Sequence, residues 1–323
     1  MPFFLSTMTE QNCVVTERMA GWRVEKICAA LHPGRTRSQW QILIDNGMVR
    51  VDGKKARRGD RPAAGALMEL AELPLEAHVW TPAYTDPGMI RVILRTPQLI
   101  VLDKPPQLPT LPLTPDDTPT AAGALFAAEP GIVGAPPREA GIVNRLDNDT
   151  SGLLLAGLDP ATSERLRQRF ASHRIEKTYR ALVHGSFHEN PVWLTGRIFT
   201  LGTQRVRYEP GEGADGQMAI SLATRLWEGA GYSLVEVVTR FGRRHQVRVQ
   251  LAHAGHPIVN DGLYSQEPPL PLAGHFLWAR QIAFADPESD LPQVVTSAFL
   301  PKAWLELAVE LGCGRFFTGV EPY

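Results

Sequence analysis

Short apolar segments with the two-residue alternation of β-strands follow one another along most of the sequence after residue 90. Helical patterns interrupt them only at about 121–128, 160–171, 243–254 and 302–311. Because helices do not alternate regularly with strands, the pattern predicts an α+β fold with a large mixed, mostly antiparallel sheet, and it argues against a doubly wound parallel fold. The predicted strands are 91–95, 99–105, 177–184, 192–199, 217–227, 232–239, 276–284 and 293–299.

The chain is predicted to contain two domains of unequal size. Residues 15–72 form the small one, after a flexible N-terminus at residues 1–14. Residues 73–89 contain three prolines without periodicity, which is typical of a linker. The main domain is expected over residues 90–323, a length within the range of a single large domain.

In the small domain, apolar residues three and four positions apart predict a helix ending near Leu31, and a second helix is expected over Ser38–Ile44. A strand around Val49 then leads into Asp52-Gly53, a dipeptide that favours a hairpin turn. Eight basic residues cluster in this part of a chain whose net charge is −1. A basic patch of this kind is typical of a polyanion-binding surface, and the alternative interpretation is a basic face in contact with solvent. The basic residues are Arg35, Arg37, Arg50, Lys54, Lys55, Arg57, Arg58 and Arg61.

Composition excludes several classes of protein. With 44% hydrophobic and 21% charged residues, the chain is predicted to be soluble and globular. No apolar segment approaches the roughly 20 residues of a membrane helix, and the N-terminus lacks the features of a signal peptide. Three scattered cysteines (Cys13, Cys28 and Cys313) without a paired spacing favour reduced thiols, a cytoplasmic location and no zinc site.

The segment GIVNRLDNDTSGLLL (residues 141–155) places a polar turn between two apolar runs. A turn held between buried strands is a common position for reacting groups. Asp147 would be a carboxylate fixed close to Arg145, with Asp149 as its competitor within the segment. Taken alone, the segment is better interpreted as an ordinary acidic turn.

Two further segments carry polar groups on regular elements. In EKTYRALVHG (176–185), Lys177 and Tyr179 share one strand face, where a tyrosine suits stacking on a base but also suits a plain core. In TRFGRRHQVRVQLAHAGHPIVNDGLYS (239–265), a helix from about Arg243 to Ala254 would place Arg244 and Arg248 on one face. The alternatives are a basic nucleic-acid-binding helix or a surface helix. His253 and His256 are interpreted as structural, without carboxylates spaced for a metal.

In order and spacing, these segments resemble the RluA-type branch of the pseudouridine synthases. The similarity includes Arg-Leu-Asp with its Thr-Ser-Gly turn, Lys-x-Tyr-x-Ala-x-Val, Gly-Arg-x-His-Gln-Val-Arg with Gly-His-Pro-Ile and Asp-x-x-Tyr, and the weaker LDKPPQLPT at 102–110. Residues 15–72 are similar to the αL RNA-binding motif, with RTRSQWQILIDNGMVRVDGK as the specific part.

The resemblance implies that the protein isomerises uridine in ribosomal or transfer RNA to pseudouridine, without a cofactor or metal. It implies that Asp147 is the catalytic carboxylate, Arg248 its ion-pair partner, and Tyr179 the side chain that stacks on the uracil. Arg145 would fill the space left by the extruded nucleotide, because base chemistry requires the target to leave its stack. Further substrate contacts are expected from Asn144, Thr150, Lys177, Arg244 and Gln246.

Two positions depart from the family pattern: Asn144 and Gln250 stand where histidines are usual. They motivate a second hypothesis, a non-catalytic RNA-binding or ribosome-assembly factor on the same scaffold. A third, a nucleosidase or other glycoside hydrolase, would need a second acid for the leaving group. The first two hypotheses make RNA the expected partner. No membrane association is expected, and the protein is expected to be a monomer.

Overall fold

The apolar segments after residue 90 form a ten-stranded sheet. The structure is a computed structural model that divides into two units, Met1–Val79 and Trp80–Tyr323. The division lies within the segment 73–89. The structure describes residues 11–31, 37–45, 47–70, 81–132, 137–188, 190–202, 204–211, 213 and 215–323.

The first unit packs two helices against a four-stranded antiparallel sheet of order β1-β4-β2-β3. Its core contains Ile27 and Cys28 from the first helix, Leu43 and Ile44 from the second, and Met68 from the last strand, all buried. β1 and β4 were not predicted. The elements are β1 (Gln11–Val14), α1 (Val24–Leu31), α2 (Arg37–Asp45), β2 (Val49–Val51), β3 (Lys54–Lys55) and β4 (Leu67–Leu70).

The second unit contains the ten-stranded sheet, of order β10-β9-β11-β12-β8-β13-β7-β6-β5, with β14 paired to β13. All neighbours are antiparallel except β13 and β7, so the predicted mixed, mostly antiparallel sheet is confirmed. Its strands are β5 (Arg91–Arg95), β6 (Leu99–Lys104), β7 (Ser151–Gly157), β8 (Glu176–His184), β9 (Val192–Leu201), β10 (Arg205–Pro210), β11 (Gln217–Gly229), β12 (Tyr232–Thr239), β13 (Leu277–Ala285) and β14 (Pro292–Thr296).

Few helices accompany this sheet. A short parallel pair, β15 (Phe299–Leu300) and β16 (Glu321–Pro322), lies outside it, so the predicted strand 293–299 is divided in two. None of the helices that the structure describes combines the length and apolarity needed to cross a bilayer. The helices are α3 (Ala121–Ala128), α4 (Pro160–Ala171), α5 (Gln246–His253) and α6 (Lys302–Glu310).

The helix predicted from about Arg243 begins three residues later. His245 has a left-handed backbone conformation with φ 52°, which a regular helix does not allow, and the first helical residue is Gln246. The side-chain Oε1 of Gln246 accepts a hydrogen bond from the Arg243 amide at 3.1 Å. Arg244 therefore precedes α5, and the prediction that it shares a helix face with Arg248 was wrong.

The parallel contact between β7 and β13 depends on Gly152. Its φ is 115°, and a Cβ atom there would lie 2.3 Å from the carbonyl oxygen of Ala279. Only glycine allows the two backbones to approach this closely. Because β7 directly follows the Asp147 turn, this approach fixes where the turn meets the central strands.

Candidate active site

One open pocket brings together most of the side chains predicted to act on substrate. It lies between the Asp147 turn, strand β8 and the N-terminal end of α5. Of the nine catalytic and substrate-binding residues proposed from sequence, six line it: Arg145, Asp147, Thr150, Tyr179, Gln246 and Arg248.

The centre of the pocket is an ion pair between residues 101 positions apart in sequence. Arg248 Nη1 donates to Asp147 Oδ2 at 2.7 Å. The Asp147 side chain is 28% exposed, whereas that of Arg248 is 6% exposed. The carboxylate therefore remains open to a ligand while its cationic partner is anchored in the wall.

Arg248 is held on its other side by Asp261, a buried carboxylate. Arg248 Nε and Nη2 donate to the two Asp261 oxygens at 2.7 and 2.8 Å, a bidentate arrangement that fixes the guanidinium plane. Burial alone would raise the pKa of Asp261, but the hydrogen bonds and charge of Arg248 outweigh burial and lower it. Burial likewise opposes the charge on Arg248, yet the two carboxylates raise its pKa.

The turn that carries Asp147 is fixed through its backbone. Thr110 Oγ1 donates to the Leu146 carbonyl at 2.8 Å, and the Leu146 amide donates back at 3.2 Å. On the other side of Asp147, Lys104 Nζ donates to the Asn148 carbonyl at 2.9 Å. The carboxylate thus projects from a turn that is held before and after it.

Lys104 is fully buried at the end of β6, and burial lowers its pKa to about 7. Its neighbour Asp103 is also buried and accepts hydrogen bonds from the hydroxyls of Ser297 and Tyr323. Burial raises the pKa of Asp103 to about 6. The loop LDKPP, a weak signal in the sequence, therefore supplies the support beneath the Asp147 turn.

Tyr179 lies in the centre of the sheet, opposite Val237 on one side and Ala279 on the other. It is half-buried and packs against two apolar clusters of the core. Burial, and then the negative charge of Asp147, raise the pKa of Tyr179. The residue therefore presents a neutral phenol ring beside the carboxylate.

Histidines missed by the sequence reasoning complete the surroundings. His245 Nε2 lies 3.9 Å from Asp147 Oδ1, and its Nδ1 lies 2.8 Å from the hydroxyl of Tyr264. His275 Nε2 lies 2.8 Å from Thr150 Oγ1. Burial lowers the pKa of both histidines, that of His275 to about 4, so both are neutral at pH 7.

The remaining predicted substrate contacts differ in their surroundings. The Asn144 amide is bound to β7, since its Nδ2 donates to the Leu153 carbonyl and its Oδ1 accepts from Leu155. Gln246 lines the pocket, but its Nε2 donates inside the wall, to Ser221 Oγ at 3.0 Å among others. Both amides thus serve the fold.

Arg145 and Arg244 are exposed, and Lys177 is buried beside the pocket. Arg145 forms no hydrogen bond or ion pair with any residue that the structure describes. Gln250, one of the two departures from the family pattern, is buried and binds Ser221 Oγ and the Leu194 carbonyl at 2.7 Å each. Neither Asn144 nor Gln250 lines the pocket.

The predicted RNA-binding residues lie in the first unit. Their exposed members are Arg50, Lys54, Lys55, Arg57 and Arg58. Arg58 forms an ion pair with Asp45, while Arg50 donates to the carbonyl of Gly53 within the hairpin. Arg35 lies outside the described residues, and of Arg37 only the backbone, in α2, is described.

A metal centre finds no support in the described part of the chain. No three His, Cys, Asp or Glu side chains there come together in a way that could hold a metal ion. Asp147 is also the only carboxylate among the described residues that line the pocket.

The chain is similar in sequence to known RNA pseudouridine synthases. The model of the RNA pseudouridylate synthase family matches residues 98–253. An uncharacterized RNA pseudouridine synthase of Chloroflexus aurantiacus is 31% identical over 291 residues, 89% of this chain and 90% of that relative. Ribosomal large subunit pseudouridine synthase D of Pseudomonas aeruginosa is 27% identical over 260 residues, 80% of this chain and 79% of the relative.

Among solved structures, human RNA pseudouridylate synthase domain containing 4 shares the fold. It matches with a TM-score of 0.55 and 19% identity over 68% of this chain and 92% of the human chain. Human RNA pseudouridylate synthase domain containing 1 matches with a TM-score of 0.54 and 23% identity, over 66% of this chain and 84% of that one.

Proposed function

The chain belongs to the RNA pseudouridylate synthase family and is an isomerase, and from this we propose that it converts uridines of ribosomal RNA to pseudouridine with Asp147 as the catalytic carboxylate. The observation that carries this proposal is the half-open Asp147 carboxylate, 2.7 Å from buried Arg248, in the same pocket as Tyr179. The direct test is pseudouridine formation by the purified chain and its loss in Asp147→Asn.

The reaction is an isomerisation that needs no external reductant or oxidant. The N1–C1′ bond of uridine breaks, the uracil turns, and C5 bonds to C1′; C5 then loses its proton and N1 gains one. Breaking the glycosidic bond places positive character on the sugar, which a carboxylate facing the ribose stabilises. Asp147 in this position can attack C1′ or take the proton from C2′.

Tyr179 supplies a surface for the uracil. A neutral aromatic ring beside the carboxylate can hold the base by stacking while it turns, because stacking does not depend on which edge of the base faces the protein. Since its pKa is raised, Tyr179 offers a hydroxyl and not a phenolate. We therefore assign it to holding the base, with any proton it moves delivered by a neutral phenol.

Arg145 is proposed to stabilise the flipped state. It is exposed at the pocket rim and has no partner among the described residues, so an RNA duplex can meet it without breaking an internal contact. Extruding a nucleotide costs a few kcal/mol of stacking and pairing, which a side chain entering the vacated space partly offsets.

We propose ribosomal RNA as the substrate because several relatives carry names of large-subunit ribosomal enzymes. Release of tritium from C5-labelled uridine in unmodified large-subunit ribosomal RNA, compared with transfer RNA, tests this choice. Mapping pseudouridines in a deletion strain against wild type then identifies the position.

The first unit is proposed to bind RNA phosphates through its exposed basic hairpin. Contacts of this kind are sequence-independent and weaken steeply with salt. Deleting residues 1–72 should therefore raise KM more than it lowers kcat and should reduce the salt dependence of binding. An unchanged salt dependence would contradict this role. We further propose that the enzyme acts as a cytoplasmic monomer without metal or cofactor.

The described residues favour neither of the two rival hypotheses. The RNA-binding factor was suggested by Asn144 and Gln250, but both amides are engaged within the fold and lie outside the pocket. The glycoside hydrolase would need a second acid, and Asp147 is the single carboxylate among the described pocket residues. RNA binding without tritium release would favour the first rival.

A further inference from the structure

Lys177, on β8, is a buried cation that the proposed chemistry does not use. It is 6% exposed, and its Nζ donates to the carbonyl of Phe241 at 2.7 Å. That is the single acceptor found for it among the described residues, and none of their carboxylates forms an ion pair with it. An ammonium carries three N–H donors, so this buried group retains donor capacity.

The absence of a counter-ion has an electrostatic consequence. Burial and, to a smaller extent, the positive charge of Arg243 together lower the pKa of Lys177 to about 8. The neighbouring carboxylate, Glu176, faces Arg240 at 3.2 Å. Buried charges in proteins are normally paired, so a site holding Lys177 beside Arg243 is suited to an anion from outside.

The space beside this ammonium opens into the pocket at Gly242. Gly242 is exposed and lines the pocket. A Cβ atom built on Gly242 would lie 3.2 Å from Lys177 Nζ, with no other heavy atom beyond its chain neighbours within 4 Å. A ligand oxygen placed there would thus be at hydrogen-bond distance from a buried ammonium while remaining accessible from solvent.

Arg243 adds a second cation at the same place. It lines the pocket, and its Nε donates to the carbonyl of Met218 at 3.0 Å, which holds the guanidinium against β11. An ammonium beside an open glycine, with an arginine lining the same pocket, is suited to binding phosphate oxygens.

We propose that the space in front of Gly242 is a phosphate subsite, where Lys177 Nζ and Arg243 hold one phosphodiester of the RNA strand that carries the target uridine. The inference rests on the proposed function, because it takes the ligand in this pocket to be RNA. It assigns Lys177 to positioning the strand relative to Asp147, separate from the chemistry on the base.

A matched set of variants tests the subsite. Gly242→Ala fills the space and keeps the Lys177 charge, although Lys177 Nζ must shift by a few tenths of an ångström to admit the added Cβ. Lys177→Met removes the charge at similar length. Gly131→Ala is the control, since Gly131 is exposed, lies outside the pocket, and its added Cβ would meet nothing within 4 Å. Melting curves establish that each full-length variant is folded.

The measurement uses a synthetic RNA hairpin carrying a uridine that the wild-type enzyme modifies. Each phosphodiester near that uridine is replaced in turn by an uncharged methylphosphonate, and the Kd is measured. For wild type, one linkage should weaken binding by about tenfold, the effect of losing a charged hydrogen bond. Gly242→Ala and Lys177→Met should bind the unsubstituted RNA about tenfold more weakly and lose sensitivity to that linkage alone.

The inference is overturned if both variants keep the full wild-type sensitivity at every linkage, or if Gly242→Ala binds like Gly131→Ala. If Lys177→Met does not fold, Gly242→Ala decides by itself. Failure of the proposed function looks different, because the wild-type enzyme would then form no pseudouridine in any ribosomal RNA.

Discussion

The two ends of the pocket differ in whether their charged side chains have partners of opposite charge within the protein. At the Asp147 end, Arg248 lies between two carboxylates at 2.7 Å, and all three groups are compensated within the protein. At the Gly242 end, Lys177 has no carboxylate partner among the described residues, and the same holds for Arg145 at the pocket rim. The first end is organised before substrate arrives, whereas the second is completed by the substrate's own negative charge.

This difference follows from what each end must do. A reacting carboxylate gains most from a fixed environment, because reorganisation at the moment of reaction costs rate. A binding surface for RNA gains from releasing ions and water when the phosphates arrive, which an internal counter-ion would prevent. We therefore expect substitutions at the Asp147 end to act on kcat and substitutions at the Gly242 end to act on RNA affinity.

The largest effect is expected for Asp147→Asn. The substitution removes the charge that faces the ribose but leaves Arg248 paired with Asp261, so the fold should persist while activity falls by about 10³-fold or more. Tritium release measures the loss. Asp149→Asn is the matched control, because Asp149 lies outside the pocket, and equal losses in both variants would break the comparison.

A smaller loss is expected for Asp261→Asn, which acts through Arg248. Loss of the bidentate partner should lower kcat by about 10- to 100-fold, as for other groups that orient a reacting residue, with little change in KM. It should also cost about 3 kcal/mol in free energy of unfolding, because a buried cation loses a partner. Asp290→Asn, at an exposed ion pair with Arg169, should change neither quantity appreciably. A wild-type kcat in Asp261→Asn would contradict the role.

Lys104 allows a test of how the Asp147 end tolerates a cation with only carbonyl acceptors. Its pKa is about 7 in the folded protein and 10.5 as an ordinary lysine. Between these values the unfolded chain binds more protons, so the Lys104 contribution should make the free energy of unfolding rise with pH, by at most about 1.4 kcal/mol per pH unit. Urea denaturation of wild type and Lys104→Met from pH 6.5 to 9 checks this. Identical pH dependence in the two proteins would disprove it.

The smallest effect is expected for Arg145→Gln, which removes the exposed cation at the pocket rim. An exposed charge contributes little and is screened, so kcat/KM should fall by about fivefold or less, and less at high salt. Arg91→Gln, an exposed arginine on β5 outside the pocket, serves as the control. A loss comparable to that of Asp147→Asn would show that Arg145 belongs to the chemistry and would remove the distinction between the two ends.

Much of the fold was predictable because a strand that is buried on one face has apolar residues at every second position. The larger strands of the second unit and α3, α4 and α6 were predicted to within a few residues. β10 was missed because Arg205, Arg207 and Glu209 alternate with only two buried residues, Val206 and Tyr208, too short an apolar pattern to register. The start of α5 was misplaced because the left-handed conformation of His245 has no signature in a run of basic residues.

The site residues that belong to sequence motifs were predictable, whereas those that are brought to the site only by tertiary contacts were not. Asp147, Tyr179 and Arg248 were proposed from three separate segments, and they meet in one pocket. Asp261 and His275 were missed because tertiary contacts between residues far apart in the sequence have no characteristic spacing. Thr150 and His275, for example, are 125 positions apart. Asp261 is the first residue of the Asp-x-x-Tyr motif, but the sequence does not distinguish a polar motif residue from a buried counter-ion.

The support beneath the Asp147 turn has a practical consequence. Lys104 holds the carbonyl of Asn148, a group that every amino acid provides, while the Asn148 side chain is exposed. Position 148 can therefore be changed without altering the hydrogen bond that shapes the turn. A cysteine introduced there would carry a fluorescent label one residue from Asp147 and could be used to follow nucleotide entry in real time.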